Sequence, residues 1–331
     1  MRVIHCGGFG PITNALAAAE RKVEIYSESF GATSNEDLFS FNPSSLLLAL
    51  ETSLKETGSS ASQPDLLVVH GCSALAGAFF LEAPQALSVL RRLRSSGIKT
   101  IYWSQGAEAF ADAPQRKKAK FADGEFSEAF DHVIQSSLEG RQLARLVKGS
   151  SWLALPAPLE LFEGAGAREY ASIHFSFTAA LVPFQMSPLV VNAVRESLGS
   201  QKSPVTLQVC TPDVVSSFQK LRAAIESADL VIDAPDLSSY GPIGVFSLAA
   251  GRPLFCGSNA DIKKEWPSQE LSPVISIEPK SLSEKLRHIL MEPRMLRDLG
   301  KRARNFALER HHPQRVAALS QQLYQRVVAG S

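Results

Sequence analysis

Short apolar runs that close on Gly, Ser or Pro alternate along this chain with stretches whose apolar residues recur every three to four positions. Alternation of this kind predicts repeated βα units, and so parallel sheets covered by helices on both faces. In the first half it predicts strands at Arg2–Cys6, Val23–Tyr26, Leu66–His70, Thr100–Ser104, His132–Gln135 and Trp152–Ala154. Helices are expected between them at Thr13–Glu20, Pro43–Lys55, Pro84–Ser95 and Ser137–Val147. The pattern breaks in the Pro- and Gly-rich stretch Leu155 to Gly166, which suits a crossing between domains and sets a boundary near residue 160. A second series follows, with strands at Ile173–Phe177, Val205–Cys210, Leu230–Asp233, Pro253–Cys256 and Val274–Ile277. Its helices are expected at Pro188–Leu198, Val214–Ser227, Ile243–Ala250 and Ser281–Met291. A charged amphipathic end, Arg294 to Val328, is divided by Pro313, which removes an amide donor and splits the segment into two helices.

The fold class expected is α/β, with two Rossmann-like domains facing across a cleft. Residues 1–160 form the first and 161–331 the second, with the last helix crossing back to the first domain. A length of 331 residues suits two cores rather than one, and 45% apolar with 20% charged residues is ordinary globular composition. The formal charge of +1 provides no global field for nucleic acid, which is excluded as a partner. Cys6, Cys72, Cys210 and Cys256 lie far apart without a CxxC pair and read as reduced core thiols. The chain begins on a strand pattern without a signal-peptide h-region, and no apolar run approaches the ~20 residues of a membrane span. A cytoplasmic protein is expected, with peripheral contact to the inner membrane surface as the alternative.

In doubly wound sheets, ligands sit beyond the carboxyl ends of the strands, where helix N-termini attract phosphate. The loops in question include Gly7-Gly8-Phe9-Gly10-Pro11, His70-Gly71-Cys72-Ser73 and Trp103-Ser104-Gln105-Gly106-Ala107-Glu108. The first is not a spaced GxGxxG fingerprint, which disfavours a dinucleotide-dependent dehydrogenase. In the second half, Tyr240-Gly241-Pro242 opens a helix that ends on Ala250-Gly251-Arg252-Pro253.

These residues carry a resemblance. Pro64 to Gly71 resembles the "pDvvhvHg" segment of retaining glycosyltransferases of the GT-B fold, and Ile101 to Gly106 resembles their next strand, with Gln105 in place of a His. Phe130 to Ser137 is similar to "aDhviavS", Leu155 to Phe162 to the interdomain connector, and Ala228 to Asp233 to a donor-domain strand. Ser238 to Pro253 is similar to "EgfGlvvlEamAcGkPvv", and the stretch from Glu292 to Arg315 to the closing helices of the CgeB-like branch. The family's two glutamates, eight positions apart, fall here on Ser238 and Phe246. The Arg/Lys pair that clamps the donor diphosphate is missing from the stretch Thr178 to Met186, read as the loop after the first strand of the second domain.

The resemblance implies a glycosyltransferase that moves a sugar, with retention, from a nucleotide-sugar donor to a glycan, lipid-linked or protein acceptor, in the building of cell-surface polysaccharide. No metal or other cofactor is expected, the nucleotide-sugar being a substrate. His70 and Glu108 are the catalytic candidates: His70 to orient the sugar or relay a proton, or else a buried structural histidine, and Glu108 on the acceptor side, or else a solvated loop charge. Donor contacts are expected from Gly8, Gly10, Gln105, Thr178, Gln185, Cys210, Ser238, Ser239, Tyr240, Gly241 and Pro242, or else the last two are helix-start chemistry alone. His311 and His312 are expected at the surface or between domains. The basic clusters Arg91-Arg92-Leu93-Arg94 and Arg116 to Lys120 would meet anionic lipid or form solvated faces. The altered donor positions leave two other functions open: a non-catalytic GT-B homologue serving as a partner-binding subunit, and a sugar-nucleotide epimerase.

Overall fold

The computed structural model describes residues 1–7, 10–30, 64–71, 84–105, 128–136, 147–165, 177–182, 192, 196, 205–210, 217–233, 240–257, 273–277, 281, 284–285, 288–289 and 292–330. By its contacts the chain divides into a first unit, Met1–Pro156 with Pro313–Ser331, and a second unit, Ala157–His312.

The first unit holds a six-stranded sheet in the order β2-β1-β3-β4-β5-β6. Its strands are β1 (Arg2–Gly7), β2 (Tyr26–Phe30), β3 (Leu66–Gly71), β4 (Lys99–Ser104), β5 (His132–Gln135) and β6 (Gly149–Trp152). Every pairing is parallel, as the near-continuous apolar runs of β3 and β4 require of strands buried on both faces. Helices α1 (Gly10–Lys22), α2 (Pro84–Ser95) and, from the end of the chain, α6 (Pro313–Ala329) belong to the same unit. Along α1, Ile12, Leu16 and Glu20 form one buried stripe, and α6 packs on α1 through Val316, Ala317, Ser320, Leu323 and Tyr324.

The second unit holds a five-stranded parallel sheet in the order β11-β10-β9-β7-β8. Its strands are β7 (Phe177–Val182), β8 (Val205–Val209), β9 (Leu230–Asp233), β10 (Leu254–Cys256) and β11 (Val274–Ser276). The helices are α3 (Phe218–Ser227), α4 (Pro242–Ala249) and α5 (Pro293–Arg310). Ser217 caps α3 by accepting from the Lys220 amide. Every residue of α4 is buried, so this helix is apolar on all sides and lies inside the unit. It closes on a Schellman motif: the Gly251 amide donates to Leu248 O, the Arg252 amide to Ser247 O, and Gly251 takes φ 67°, with Pro253 following.

Both sheets reverse strand order once, between β1 and β3 in the first unit and between β7 and β9 in the second. Those reversals are the switch points at which doubly wound sheets leave a crevice beyond the strand ends.

Three strands differ from the sequence expectation. β2 starts at Tyr26, because the Val23 and Ile25 amides both donate to Glu20 O in a turn that closes α1, and Glu24 takes φ 64°. β6 runs over Gly149–Trp152, a polar stretch without strand patterning, in register with β5. Gly149 fits there because a Cβ would lie 2.5 Å from Nδ1 of its partner His132. β7 covers Phe177–Val182 rather than ending at Phe177, its register fixed by pairing with both β8 and β9. The helices expected at Pro43–Lys55 and for the most part at Ser137–Val147 and Pro188–Leu198 lie outside the described residues.

Candidate functional site

At the switch point of the first unit, β1 and β3 run side by side, with Gly7 opposite His70. His5 lies two residues before Gly7 on the same face of β1, and its ring meets that of His70 with centroids 5.1 Å apart. His5 Nδ1 and His70 Nε2 are 2.8 Å apart, and both residues are buried. The other ring nitrogen of His5, Nε2, is 2.7 Å from Oε2 of Glu20, whose side chain comes off the buried stripe of α1. The other nitrogen of His70, Nδ1, is 3.1 Å from the Gln105 amide nitrogen at the carboxyl end of β4. Trp103 stacks on His70 at 5.3 Å and donates from its indole to Ser136 Oγ.

The catalytic candidate His70 is an internal side chain. Both of its ring nitrogens are engaged by protein groups, and burial, with His5 beside it, holds its pKa well below 6.5. Gln105, beside it, is fully buried, and Gly10 is the first residue of α1. Glu108 and Gly8 lie outside the described residues.

In the second unit the segment Tyr240-Gly241-Pro242 stands where the sequence places it, at the start of α4. Gly241 is the N-cap and Pro242 the first helical residue, and among the described residues no side-chain cap hydrogen bond is made to the helix. The first turn therefore relies on backbone donors, the feature that suits an anion at a helix N-terminus. The Tyr240 ring lies over that turn, where a Cβ on Gly244 would come within 2.4 Å of Tyr240 Cβ. The Tyr240 hydroxyl is 2.9 Å from Nε2 of His311, and burial raises its pKa above the usual phenol range. His311 is buried, which excludes the surface alternative of the two expected for it, and its carbonyl accepts from the Ala157 amide at 2.6 Å.

Two donor candidates move. Thr178 is the second residue of β7, paired with Thr206 near the amino end, so the stretch read as a loop is strand up to Val182. Cys210 follows β8 fully buried, its thiol pushed up to about 11 by desolvation, so it belongs to the core. Gln185, Ser238 and Ser239 lie outside the described residues.

Phe246, at the position of the resembled family's second glutamate, is fully buried between Phe218 at 5.2 Å and Phe162 at 6.2 Å. This aromatic cluster has the edge-to-face geometry of a packed core and leaves no place there for a carboxylate. The Arg91 and Arg94 guanidinium groups are tied to Glu128 and Asp131 by ion pairs of 2.9 Å each. They bind α2 to the segment before β5. The cluster at 116–120 lies outside the described residues.

No protein-family model matches the chain, and no curated protein sequence matches it. Solved structures do resemble it over its whole length. Sucrose-phosphate synthase from Thermosynechococcus elongatus superposes with a TM-score of 0.65 at 13% identity, covering 100% of both chains. HepE of Anabaena, in complex with UDP and glucose, gives 0.60 at 11% identity, covering 98% of this chain and 99% of HepE. A glycosyltransferase from Rickettsia africae gives 0.55 at 10% identity, covering 100% of this chain and 99% of that one. The chain has the GT-B fold. Its two Rossmann-like units are the two halves of that fold, and α4 is the helix that follows β9.

The sequence reading missed Glu20, His5 and Ser320. The signal was present: Glu20 continues the apolar stripe of Ile12 and Leu16 at i+4 spacing, and Ser320 sits between Val316 and Leu323 on the buried face of α6. A polar residue on an apolar stripe calls for an internal partner.

Proposed function

We propose that the protein is a glycosyltransferase that moves a sugar from a nucleotide-sugar donor to a glycan, lipid-linked or protein acceptor, with retention at the anomeric carbon. The observation that carries this reading is the full-length likeness in fold to HepE, a structure solved with UDP and glucose. The start of α4 supports it, because uncapped amides after the Gly241 N-cap are donors of the kind a departing diphosphate needs. With Phe246 inside the aromatic cluster, the donor is held by backbone amides and neutral side chains. Each absent charge-assisted hydrogen bond forfeits roughly 1.5 to 3 kcal/mol. Donor affinity is then weak, and no metal is assigned to the site.

Among the described residues no helix is long and apolar enough to cross a membrane. We place the reaction in the cytoplasm, with the acceptor reached there or at the inner membrane surface.

Calorimetric titration with UDP-, GDP-, ADP- and CMP-sugars tests the reading. Binding of one of them, followed by acceptor-dependent release of its nucleotide, is the expected result. Absence of binding by every donor would overturn it. The enclosed Phe246 specifically favours a second reading, a GT-B homologue that has lost its donor site and serves as a partner-binding subunit. Copurification of a stoichiometric enzyme, with no turnover by this chain alone, distinguishes the two. Conversion of a nucleotide-sugar without any acceptor would instead mark an epimerase.

A further inference from the structure

Helix α5 carries a charge bias that the rest of the chain lacks. It holds six of the 34 Lys and Arg residues but only two of the 33 Asp and Glu, so the helix bears +4 and the remainder −3. One of its faces, with Leu296, Leu299, Ala303, Phe306 and Ala307, is buried in the second unit, and Arg304 donates to the Ala249 carbonyl at the end of α4. The opposite face is open. Arg294, Lys301 and Leu308 are exposed and, seven residues apart, form one line about 20 Å long, with Arg297 and Arg302 half-exposed beside it.

These cations stand against the electrostatics of their own helix. Arg294 lies in the first turn, at the positive end of the macrodipole, and that turn holds no acidic residue. Arg297 pairs at 4.0 Å with the neighbouring Asp298, and both side chains are exposed. Among the described residues Arg294 and Lys301 form no ion pair. The protein itself gains nothing from this placement; an anionic surface outside it reverses the sign.

We infer that the open face of α5 docks on an anionic lipid surface. A membrane offers its charge in one plane, and charges more than about 10 Å from that plane are screened at ordinary ionic strength. A chain that is near neutral overall can therefore bind by a single basic face. Nucleic acid is the poorer fit, because Phe306, the one aromatic of α5, is buried and leaves no ring on which a base could stack. Leu308, 41% exposed at the end of the line, adds an apolar contact. This face is separate from Arg91 and Arg94, whose guanidinium groups are engaged by Glu128 and Asp131. That docking brings the protein to a lipid-linked acceptor rests on the proposed function; the docking itself does not.

Cosedimentation of the full chain with vesicles tests the inference. Phosphatidylcholine vesicles with about one-third phosphatidylglycerol should retain the protein at about 0.1 M salt and release it at about 1 M, and pure phosphatidylcholine should not retain it. No binding to the anionic vesicles, or equal binding to both kinds, would overturn it. Each cation near an anionic surface raises affinity about fivefold, so Arg294→Gln, Arg297→Gln and Lys301→Gln together should lower it about fiftyfold or more. The same charge removed from other exposed positions, by Lys22→Gln, Lys148→Gln and Lys220→Gln, should change it by less than about threefold. Equal losses in the two triple variants would assign binding to net charge and sink the role of α5.

Removing cations from the positive end of a helix should leave Tm unchanged or raised, which separates lost docking from unfolding. If the α5 triple variant does not fold, Arg294→Glu with Lys301→Glu replaces it under the same criteria. Single-stranded RNA at equal phosphate concentration should not displace the protein from the vesicles; displacement would make the partner a nucleic acid and overturn the inference. A chain that docks but transfers no sugar would refute the proposed function and leave this inference standing, and one that transfers sugar without docking would do the reverse.

Discussion

His70 and His132 share a consequence for pH. Burial lowers both below the free histidine value, His70 well below 6.5 with help from His5, and His132 to about 4 with help from Arg326. Each must remain neutral in the folded protein while the unfolded chain takes up a proton near 6.5. Folding stability from these groups is therefore complete above about pH 6.5 and declines as pH falls towards 4. Thermal unfolding followed from pH 7.5 to 4.5 should show Tm falling with acid, by roughly 2 to 4 °C per kcal/mol lost. A Tm that rises or stays flat over that range would contradict the neutral assignment. The two rings were not equally legible. His70 stands out in the sequence as a polar end to an apolar strand, but its partner His5 lies 65 residues away, and no local pattern pairs them. Phe246 shows the opposite case, since its apolar identity is plain in the sequence at a position where the resembled family has a glutamate, and its packing gives the reason.

At the scale of elements, periodicity placed those strands and helices whose burial is strong. β3, β4, β9, α2 and α4 carry unbroken apolar runs or clear helical stripes bounded by Pro and Gly, and they fall at or within a residue of where the pattern puts them. The strands it misplaced, β2, β6 and β7, are held by pairing rather than by apolar content: β2 and β6 are edge strands, and the β7 stretch includes Thr178, Ala179 and Ala180. Register is a long-range property that single-chain patterning does not carry. The end of α4 was legible for a local reason, the need for a left-handed residue after the helix. Gly251→Ala should cost about 1 to 2 kcal/mol, because an L side chain is strained at φ 67°, and urea denaturation measures it. A loss below a few tenths of a kcal/mol would show that the Schellman cap does not constrain the helix end.

For the whole molecule, the first unit is built from both ends of the chain and the second from the middle. Helix α6 buries Val316, Leu323, Tyr324 and Val327 in the first unit, each worth roughly 1.5 to 3 kcal/mol when enclosed. Their sum is comparable with the total stability of an ordinary domain, about 5 to 15 kcal/mol. A chain cut after His312 should therefore retain a protease-resistant core from residues 157–312 and lose protection in 1–156. Equal resistance of both parts in limited proteolysis would show that α6 is dispensable. The Pro313 break was readable, because proline ends a helix wherever it stands. That the helix beyond it belongs with α1 depends on contacts such as Gln321 Nε2 to Val23 O, which no spacing along the chain encodes.

The Ser320 to Glu20 hydrogen bond spans 300 residues of sequence, and this orders events during synthesis. At the usual elongation speed of about 5 to 20 residues per second, the Glu20 carboxylate waits on the order of 15 to 60 s for its hydroxyl partner. During that interval α1 has no α6 to cover it, while the segment that becomes the second unit emerges without interruption. On the ribosome the half encoded in the middle can mature first, and the half encoded at the start closes last. A newborn chain thus carries an exposed apolar stripe with a carboxylate on it, and that stripe is where a holding chaperone would find its grip.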